Sequence, residues 1–115
     1  MEAEQRRFHR IPVPLTLACR RAGSLADVWR EVALLDLSAG GVGFESEEPY
    51  DTDELLDLRL HLPGSGAPLL LRGRVVRSRA QPAGIVACAV EFLGMEPTQQ
   101  AALDDLVAFL SRRLE

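Results

Sequence analysis

Three arginines stand close together near the start of the chain, at Arg6, Arg7 and Arg10, just before Ile11 and Pro12 lead into the first predicted strand. Each guanidinium offers a planar fork of N–H donors that matches phosphate oxygens or the O6/N7 edge of guanine, and its flat face can stack on a base. Composition alone favours the simpler alternative, a solvated basic tail. The chemistry that these residues could perform is the binding of an anionic ligand.

A second set of functional side chains lies in the segment DLSAGG at 36–41. Asp36 could accept hydrogen bonds from guanine N1–H and N2–H₂, and Ser38 could donate to a phosphate. Gly40 and Gly41 can take positive φ, which allows a tight turn and lets backbone N–H groups approach a ligand. The simpler alternative is a hairpin turn in which Asp36 caps its own backbone.

The composition is that of an ordinary globular chain, with 115 residues of which 47% are hydrophobic and 26% charged. This size predicts one domain with one core. No apolar run approaches the ~20 residues that span a bilayer, and the N-terminus lacks the apolar stretch of a signal peptide. We therefore expect a cytoplasmic protein without membrane insertion. The net charge of −4 argues against nucleic acid as its general partner.

The sequence carries no pattern typical of catalysis or metal binding. Cys19 and Cys88 each lie in an apolar alternating run and are interpreted as small core residues, while His9 and His61 are too isolated to predict a zinc site. There is no Ser/His/Asp arrangement and no phosphate-binding P-loop motif. We expect a protein that is not an enzyme and that needs no cofactor or metal.

Alternation of apolar and polar residues dominates the first 95 positions. It is cleanest at 13–19, 56–62 and 86–92, and further apolar segments lie at 28–37, 41–46 and 69–78. The last segment changes phase near Gly73, which predicts a bulge or a bend there. Turn residues separate the six segments, so they predict short antiparallel strands in a barrel or a sandwich.

The pattern changes to helical spacing after residue 94. One apolar stripe is formed by Leu103, Leu106, Val107, Leu110 and Leu114. Pro97 suits the first helical turn, so we expect a helix over 97–115. Its stripe is predicted to cover one open end or face of the barrel.

Together, the two motifs resemble those of the PilZ domain family, bacterial receptors for cyclic di-GMP. The family's RxxxR is matched by Arg6 and Arg10, and its DxSxxG by Asp36, Ser38 and Gly41. The order and separation of the motifs, and their placement between predicted strands, make the joint match more specific than either motif alone.

The resemblance extends over essentially the whole chain and implies its architecture. A single domain at 1–115 would comprise a flexible arginine-rich arm at 1–11, a barrel at 12–94 and a helix at 97–115. The implied fold is all-β, a six-stranded antiparallel β-barrel with a C-terminal α-helix.

The resemblance also implies which residues bind cyclic di-GMP. They are Arg6, Arg7, Arg10, Asp36, Ser38, Gly40 and Gly41. The two outer arginines of the motif would grip the phosphates and the Hoogsteen edges of guanine, and Asp36 would read a guanine Watson–Crick edge. Ser38 would contact phosphate and Gly41 would shape the turn, while Arg7 occupies a variable position of the motif.

The implied function is a cyclic di-GMP receptor whose arm becomes ordered over the nucleotide and which signals to an effector protein, for example in motility or exopolysaccharide control. One alternative is a PilZ-like interaction module that does not bind nucleotide. Another is an all-β scaffold whose arm docks on an acidic partner or on nucleic acid. The sequence leaves open the identity of the effector, the binding of one or two nucleotides, and homodimerisation.

Overall fold

Six antiparallel strands close into a barrel and one α-helix follows them, which confirms the predicted fold class. The computed structural model describes residues 15–23, 28–61 and 66–114. Its elements are β1 (Thr16–Arg21), β2 (Arg30–Leu37), β3 (Gly41–Ser46), β4 (Leu55–His61), β5 (Leu69–Ala80), β6 (Val86–Leu93) and α1 (Pro97–Leu114). Around the barrel the strands follow the order β1, β2, β3, β6, β5, β4, and β4 pairs back with β1.

The barrel interior is filled by the apolar residues that alternate along the strands. In β4, Leu56, Leu58 and Leu60 are buried and point inward. Phe44 of β3 is fully buried, and its ring meets that of Tyr50 edge to face with 6.2 Å between centroids. The core is therefore the one expected from the period-two pattern.

Helix α1 covers this core with its apolar stripe, as expected. It begins at Pro97, and Leu103 is fully buried within the same cluster as the barrel leucines. Val107 packs against that cluster, and Leu110 is also buried. Within the described part of the chain, no helix has both the length and the apolar character to cross a membrane.

Two strands contain a bulge, and each bulge changes which residues face outward. One lies in β2 at Leu35 and the other in β5 at Val76. The bulge predicted near Gly73 therefore lies further along the strand, at Val76. Gly73 keeps the inward alternation, and it is glycine because a Cβ there would lie 2.4 Å from Cγ1 of Val90.

Candidate functional site

The bulge at Leu35 turns the Asp36 side chain to the outer face of the barrel. Leu34 pairs with Phe44 and packs against the core, and the next paired residue of β2 is Asp36, opposite Gly43. Regular alternation from Leu34 would have directed Asp36 inward, because side chains two positions apart share a face. The extra residue reverses that orientation.

The bulge at Val76 does the same for the arginines of β5. Val75 is fully buried, whereas Arg77 pairs with Ala89 and Arg79 pairs with Ala87 on the outer face of β6. Since Ala89 also pairs with Gly43 of β3, one row crosses four strands. Its members, in order, are Asp36, Gly43, Ala89 and Arg77.

This row has a carboxylate at one end, a guanidinium at the other and a floor of small residues between them. A cavity of about 500 Å³ lies over this row, and Arg79 and Gln81 also line it. Val76 adds an exposed apolar wall, with 42% of its surface accessible. A cavity of this volume is large enough for an organic ligand, and its two arginines offer N–H donors to anionic groups.

Two neighbouring groups hold the Asp36 carboxylate in place. It accepts a hydrogen bond from the backbone N–H of Gly43, and it lies in the field of the Arg77 guanidinium. Burial raises the pKa of the Asp36 carboxyl above its ordinary value, although the Gly43 bond and the Arg77 charge both act in the opposite direction. A partly desolvated acceptor of this kind gains more from a ligand's N–H donors than a fully solvated one.

Ser38, rather than Asp36, caps the turn between β2 and β3. The Ser38 hydroxyl accepts from the Gly40 N–H at 3.3 Å and donates to the Gly41 carbonyl at 3.3 Å, while its own N–H donates to the same carbonyl at 2.9 Å. The Phe92 N–H donates to the Gly40 carbonyl at 3.0 Å and fastens the turn to β6. Asp36 is thereby left to face the cavity.

The expectation of positive φ at Gly40 and Gly41 was wrong. Within the described residues, left-handed glycines occur at Gly23, Gly66, Gly84 and Gly94. The requirement at Gly41 is space, since a Cβ there would lie 2.3 Å from the Val90 carbonyl oxygen.

Gly43 has a similar steric role beside the carboxylate. A Cβ at Gly43 would lie 2.2 Å from Asp36 Oδ1. The absence of a side chain therefore lets the carboxylate lie flat against the strand and accept the Gly43 N–H.

The structure brings together Asp36, Ser38, Gly40 and Gly41 at one end of the cavity. Arg6, Arg7 and Arg10 lie outside the described residues, so their predicted part in the site stays a prediction. Arg77, Arg79 and Gln81 were missed by the sequence reasoning, which interpreted 69–78 as an apolar strand. The signal was present in the two-residue spacing of Arg77 and Arg79, which places both on one strand face.

Both cysteines of the chain lie in the barrel interior. Cys19 and Cys88 are buried, as expected for small core residues, and burial raises the pKa of both thiols. Across residues 15–23, 28–61 and 66–110, no group of three His, Cys, Asp or Glu side chains is placed to hold a metal ion. The cavity at Asp36 is therefore the candidate site, and it is lined by a carboxylate, two arginines and a glycine-containing turn.

Solved structures of similar fold come from several bacterial proteins. The PilZ domain of YcgR from Escherichia coli, solved with c-di-GMP, superposes with a TM-score of 0.66 at 17% identity, covering 96% of this chain and 94% of that one. The PilZ domain of CeSA from a cellulose-synthesizing bacterium gives 0.64 at 22% identity, covering 90% and 98%. MotI/DgrA, an inhibitor of motility from Bacillus subtilis, gives 0.64 at 18% identity over 87% of this chain.

This chain spans 46% of the length of the Bacillus subtilis protein and nearly the full length of the other two domains. No curated protein sequence matches the chain. The family model described as PilZ domain matches residues 4–109. Because that match covers nearly all of its 115 residues, the chain belongs to the PilZ domain family.

Proposed function

We propose that this protein is a cyclic di-GMP receptor rather than an enzyme, and that the nucleotide binds in the cavity over Asp36 and Arg77. The observation that carries the proposal is the row with a carboxylate at one end, a guanidinium at the other and a flat floor between them. Cyclic di-GMP carries two guanines and two phosphates, so it needs an acceptor for the base edge, cations for the phosphates and flat surfaces for the rings.

Each of these needs has a matching group in the cavity. Asp36 accepts from N1–H and N2–H₂ of one guanine, a pair of donors that adenine lacks. Arg77 and Arg79 have no carboxylate within salt-bridge distance among the described residues. Their N–H donors are therefore available for phosphate oxygens or for the O6/N7 edge of a base.

The N-terminal arginines complete the proposed site. Arg6 and Arg10 are the two arginines of the family motif, and Arg7 adds a third guanidinium. In our proposal the arm becomes ordered when these groups bind the phosphates and stack on the bases, and this ordering is the signal that an effector protein reads. The c-di-GMP present in the structure of the Escherichia coli YcgR domain supports this choice of ligand.

Helix α1 offers a physical link from the site to a partner. The Gln100 side-chain amide donates to the Ala39 carbonyl, in the turn between β2 and β3, at 3.5 Å. Gln100 also donates to the Asp104 carboxylate at 3.0 Å, which holds the amide at the helix surface. A nucleotide that tightens the turn therefore acts on the first turns of α1.

Titration calorimetry of the full chain with cyclic di-GMP tests the receptor function. We expect saturable binding, and Arg10→Ala should weaken it by about 1.5–3 kcal/mol, at least ~10-fold in affinity. Arg30→Ala is the matched control, because Arg30 is an exposed arginine outside the cavity whose Nε lies 3.9 Å from Glu48. It should bind as the parent does.

Cyclic di-AMP tests how the base is recognised. The parent should bind cyclic di-GMP more tightly than cyclic di-AMP. Asp36→Asn should reduce the ratio of these two affinities more than it reduces the affinity that both ligands owe to their phosphates. If the parent chain shows no heat at ligand concentrations on the order of tens of micromolar, the receptor proposal is wrong and a nucleotide-independent interaction module becomes the better account.

A further inference from the structure

Gln81 extends the row of outward-facing side chains on β5 by one residue. The strand itself ends at Ala80, but Gln81 keeps an extended backbone, with φ −129° and ψ 171°. Its N–H donates to the Ile85 carbonyl at 2.8 Å, which continues the pairing of β5 with β6 by one step. Gln81 therefore follows Arg77 and Arg79 at two-residue spacing, on the strand face that lines the nucleotide cavity.

The turn that follows Gln81 fixes this orientation. Pro82 disfavours the helical region for the residue before it, so the backbone of Gln81 is held extended. Ala83 and Gly84, with φ of 66° and 76°, then close the turn that returns the chain to β6. The Gln81 side chain is thus directed toward the cavity by local backbone geometry, before any ligand binds.

The amide of Gln81 is not used by the fold. Within the described part of the chain, its side chain forms no hydrogen bond. The two glutamines of helix α1 differ, because Gln99 donates to the Leu70 carbonyl and Gln100 to the Ala39 carbonyl. Both the N–H donors and the carbonyl acceptor of Gln81 are therefore available to a ligand.

The charged acceptors of the cavity do not lie at the Gln81 end. Among the described residues, two carboxylates line the cavity, those of Asp36 and Glu91. Glu91 already accepts a hydrogen bond from Nε of Arg74 at 2.9 Å. Glu45, on the neighbouring strand, lines a second hollow instead of this cavity. A base that reaches Gln81 therefore meets a neutral amide, whereas a base at Asp36 meets a carboxylate.

A carboxylate and an amide select purines differently. An ionised carboxylate can only accept, so it pairs with N1–H and N2–H₂ of guanine and has no such pair of donors on adenine. An amide both accepts and donates, and a half-turn about its last torsion exchanges the two groups. It can accept from guanine N1–H while donating to O6, or accept from adenine N6–H₂ while donating to N7. Asp36 is therefore selective for guanine, and Gln81 suits either purine.

The positions of the two side chains fit an extended cyclic dinucleotide. Gln81 lies four residues beyond Arg77, about 13 Å along β5, and Arg77 lies three strand intervals, about 14 Å, from Asp36. Arg77 and Arg79 lie between the two base-binding side chains, where they can bind the phosphates. The two bases of the ligand would then lie on opposite sides of its sugar–phosphate ring.

We propose that Asp36 admits only guanine while Gln81 accepts either purine, so that the cavity binds the mixed cyclic dinucleotide cyclic GMP-AMP as well as cyclic di-GMP. The inference rests on the proposed receptor function and widens its ligand to cyclic dinucleotides that carry at least one guanine. Cyclic di-AMP, which has no guanine for Asp36, lies outside that class.

Calorimetry of the full chain with three ligands of the same phosphodiester linkage tests the proposal. Cyclic GMP-AMP should bind within about threefold of cyclic di-GMP, a margin that includes the two equivalent orientations of the symmetric ligand. Cyclic di-AMP should bind at least ~10-fold more weakly than either.

The outcomes separate this inference from the receptor function. If the parent binds none of the three ligands, both are wrong. If it binds cyclic di-GMP but binds cyclic GMP-AMP more than about threefold less tightly, the receptor function stands and the tolerance assigned to Gln81 is wrong. Equal affinity for cyclic di-AMP and cyclic di-GMP would contradict the selection of guanine by Asp36.

Gln81→Glu tests the role of the amide directly, because it replaces the amide with a carboxylate of the same shape. This variant should raise the ratio of cyclic di-GMP affinity to cyclic GMP-AMP affinity at least ~10-fold, since the second position then also requires guanine. Gln81→Ala should weaken both ligands about fivefold and leave the ratio unchanged.

Ala80→Glu is the matched control. It places the same charge one residue earlier, where the alternation of the strand directs the side chain away from the cavity. It should change the affinity for both ligands by the same factor. A ratio that rises equally in Ala80→Glu and Gln81→Glu, or that stays unchanged in Gln81→Glu, would overturn the assignment of Gln81.

Discussion

Asp36 and Arg77 occupy the two ends of one cross-strand row, although 40 residues separate them in the chain. Gly43 and Ala89 lie between them, and the Arg77 charge reaches Asp36 strongly enough to oppose the effect of burial on the pKa of that carboxyl. Each of the two faces outward because a bulge precedes it in its own strand. The cavity thus forms where the two bulged strands, β2 and β5, flank the two regular strands β3 and β6.

Arg77→Ala should weaken cyclic di-GMP binding about 10-fold, because it removes one charge-assisted contact from the end of the row. It also removes a cation that lowers the pKa of Asp36. The loss of affinity on acidification should therefore begin at a higher pH in Arg77→Ala than in the parent, as measured by calorimetry across a pH series. An unchanged affinity would show that the nucleotide does not reach β5.

Asp36→Asn should make the unliganded barrel more stable at neutral pH while it weakens nucleotide binding. Burial raises the pKa of Asp36 in the folded state, so the free energy of unfolding falls as the pH rises above the ordinary pKa of 3.8, and the full cost is present above the raised pKa. Below pH 3.8, its ordinary value, the carboxyl is protonated in both states and the advantage of asparagine should disappear. Urea unfolding at neutral and at acidic pH measures the difference.

Asp57→Asn is the control for that experiment. Asp57 accepts hydrogen bonds from Arg20 and Arg72 on the other side of the barrel. Its replacement should lower the free energy of unfolding by about 1 kcal/mol at neutral pH, opposite in sign to Asp36→Asn. Stabilisation by both variants would indicate a general effect of reducing the net negative charge.

Alanine substitution should affect stability and nucleotide binding differently at Gly40, Gly41 and Gly43. Gly41→Ala places a Cβ against the Val90 carbonyl oxygen and should cost about 1–3 kcal/mol of stability, because backbone must move. Gly43→Ala meets the Asp36 carboxylate, so it should displace that side chain and weaken nucleotide binding more than it weakens the fold. Thermal unfolding and calorimetry separate the two effects.

Gly40→Ala is the matched control of the series. No atom lies within 4 Å of a Cβ placed at Gly40, and its φ is not in the left-handed region. Its stability should stay within about 0.5 kcal/mol of the parent. A large loss at Gly40 would mean that the turn itself, rather than its contact with β6, requires glycine.

Gln100→Ala should uncouple helix α1 from the nucleotide site without abolishing binding. The contact that it removes, from Gln100 to the Ala39 carbonyl, is exposed and 3.5 Å long, so affinity should change by less than about threefold. Amide hydrogen exchange in the first turns of α1 should then respond less to cyclic di-GMP than in the parent.

Gln99→Ala provides the comparison on the same helix. Its amide donates to the Leu70 carbonyl at 2.7 Å, away from the turn at Ala39. This variant should raise exchange in α1 equally with and without nucleotide. A nucleotide response lost in Gln99→Ala but kept in Gln100→Ala would contradict the proposed link.

The alternation in β4 and β6 and the helical stripe after residue 94 were sufficient to predict the strands, the helix and the fold class. These patterns are local, because a side chain's face follows from its position along a regular element. The segment at 36–41 could likewise be identified as a candidate from the sequence, because its residue types alone indicate a turn with hydrogen-bonding groups. It contains Asp36, Ser38, Gly40 and Gly41.

The outward orientation of Asp36, by contrast, was decided by tertiary structure. The bulges at Leu35 and Val76 depend on how each strand pairs with its neighbours, and a one-residue shift changes the face of every residue that follows. The meeting of Asp36 with Arg77 likewise depends on barrel closure, which joins strands distant in sequence. Local periodicity therefore identified the elements and the turn, while strand pairing determined which charged side chains could act together.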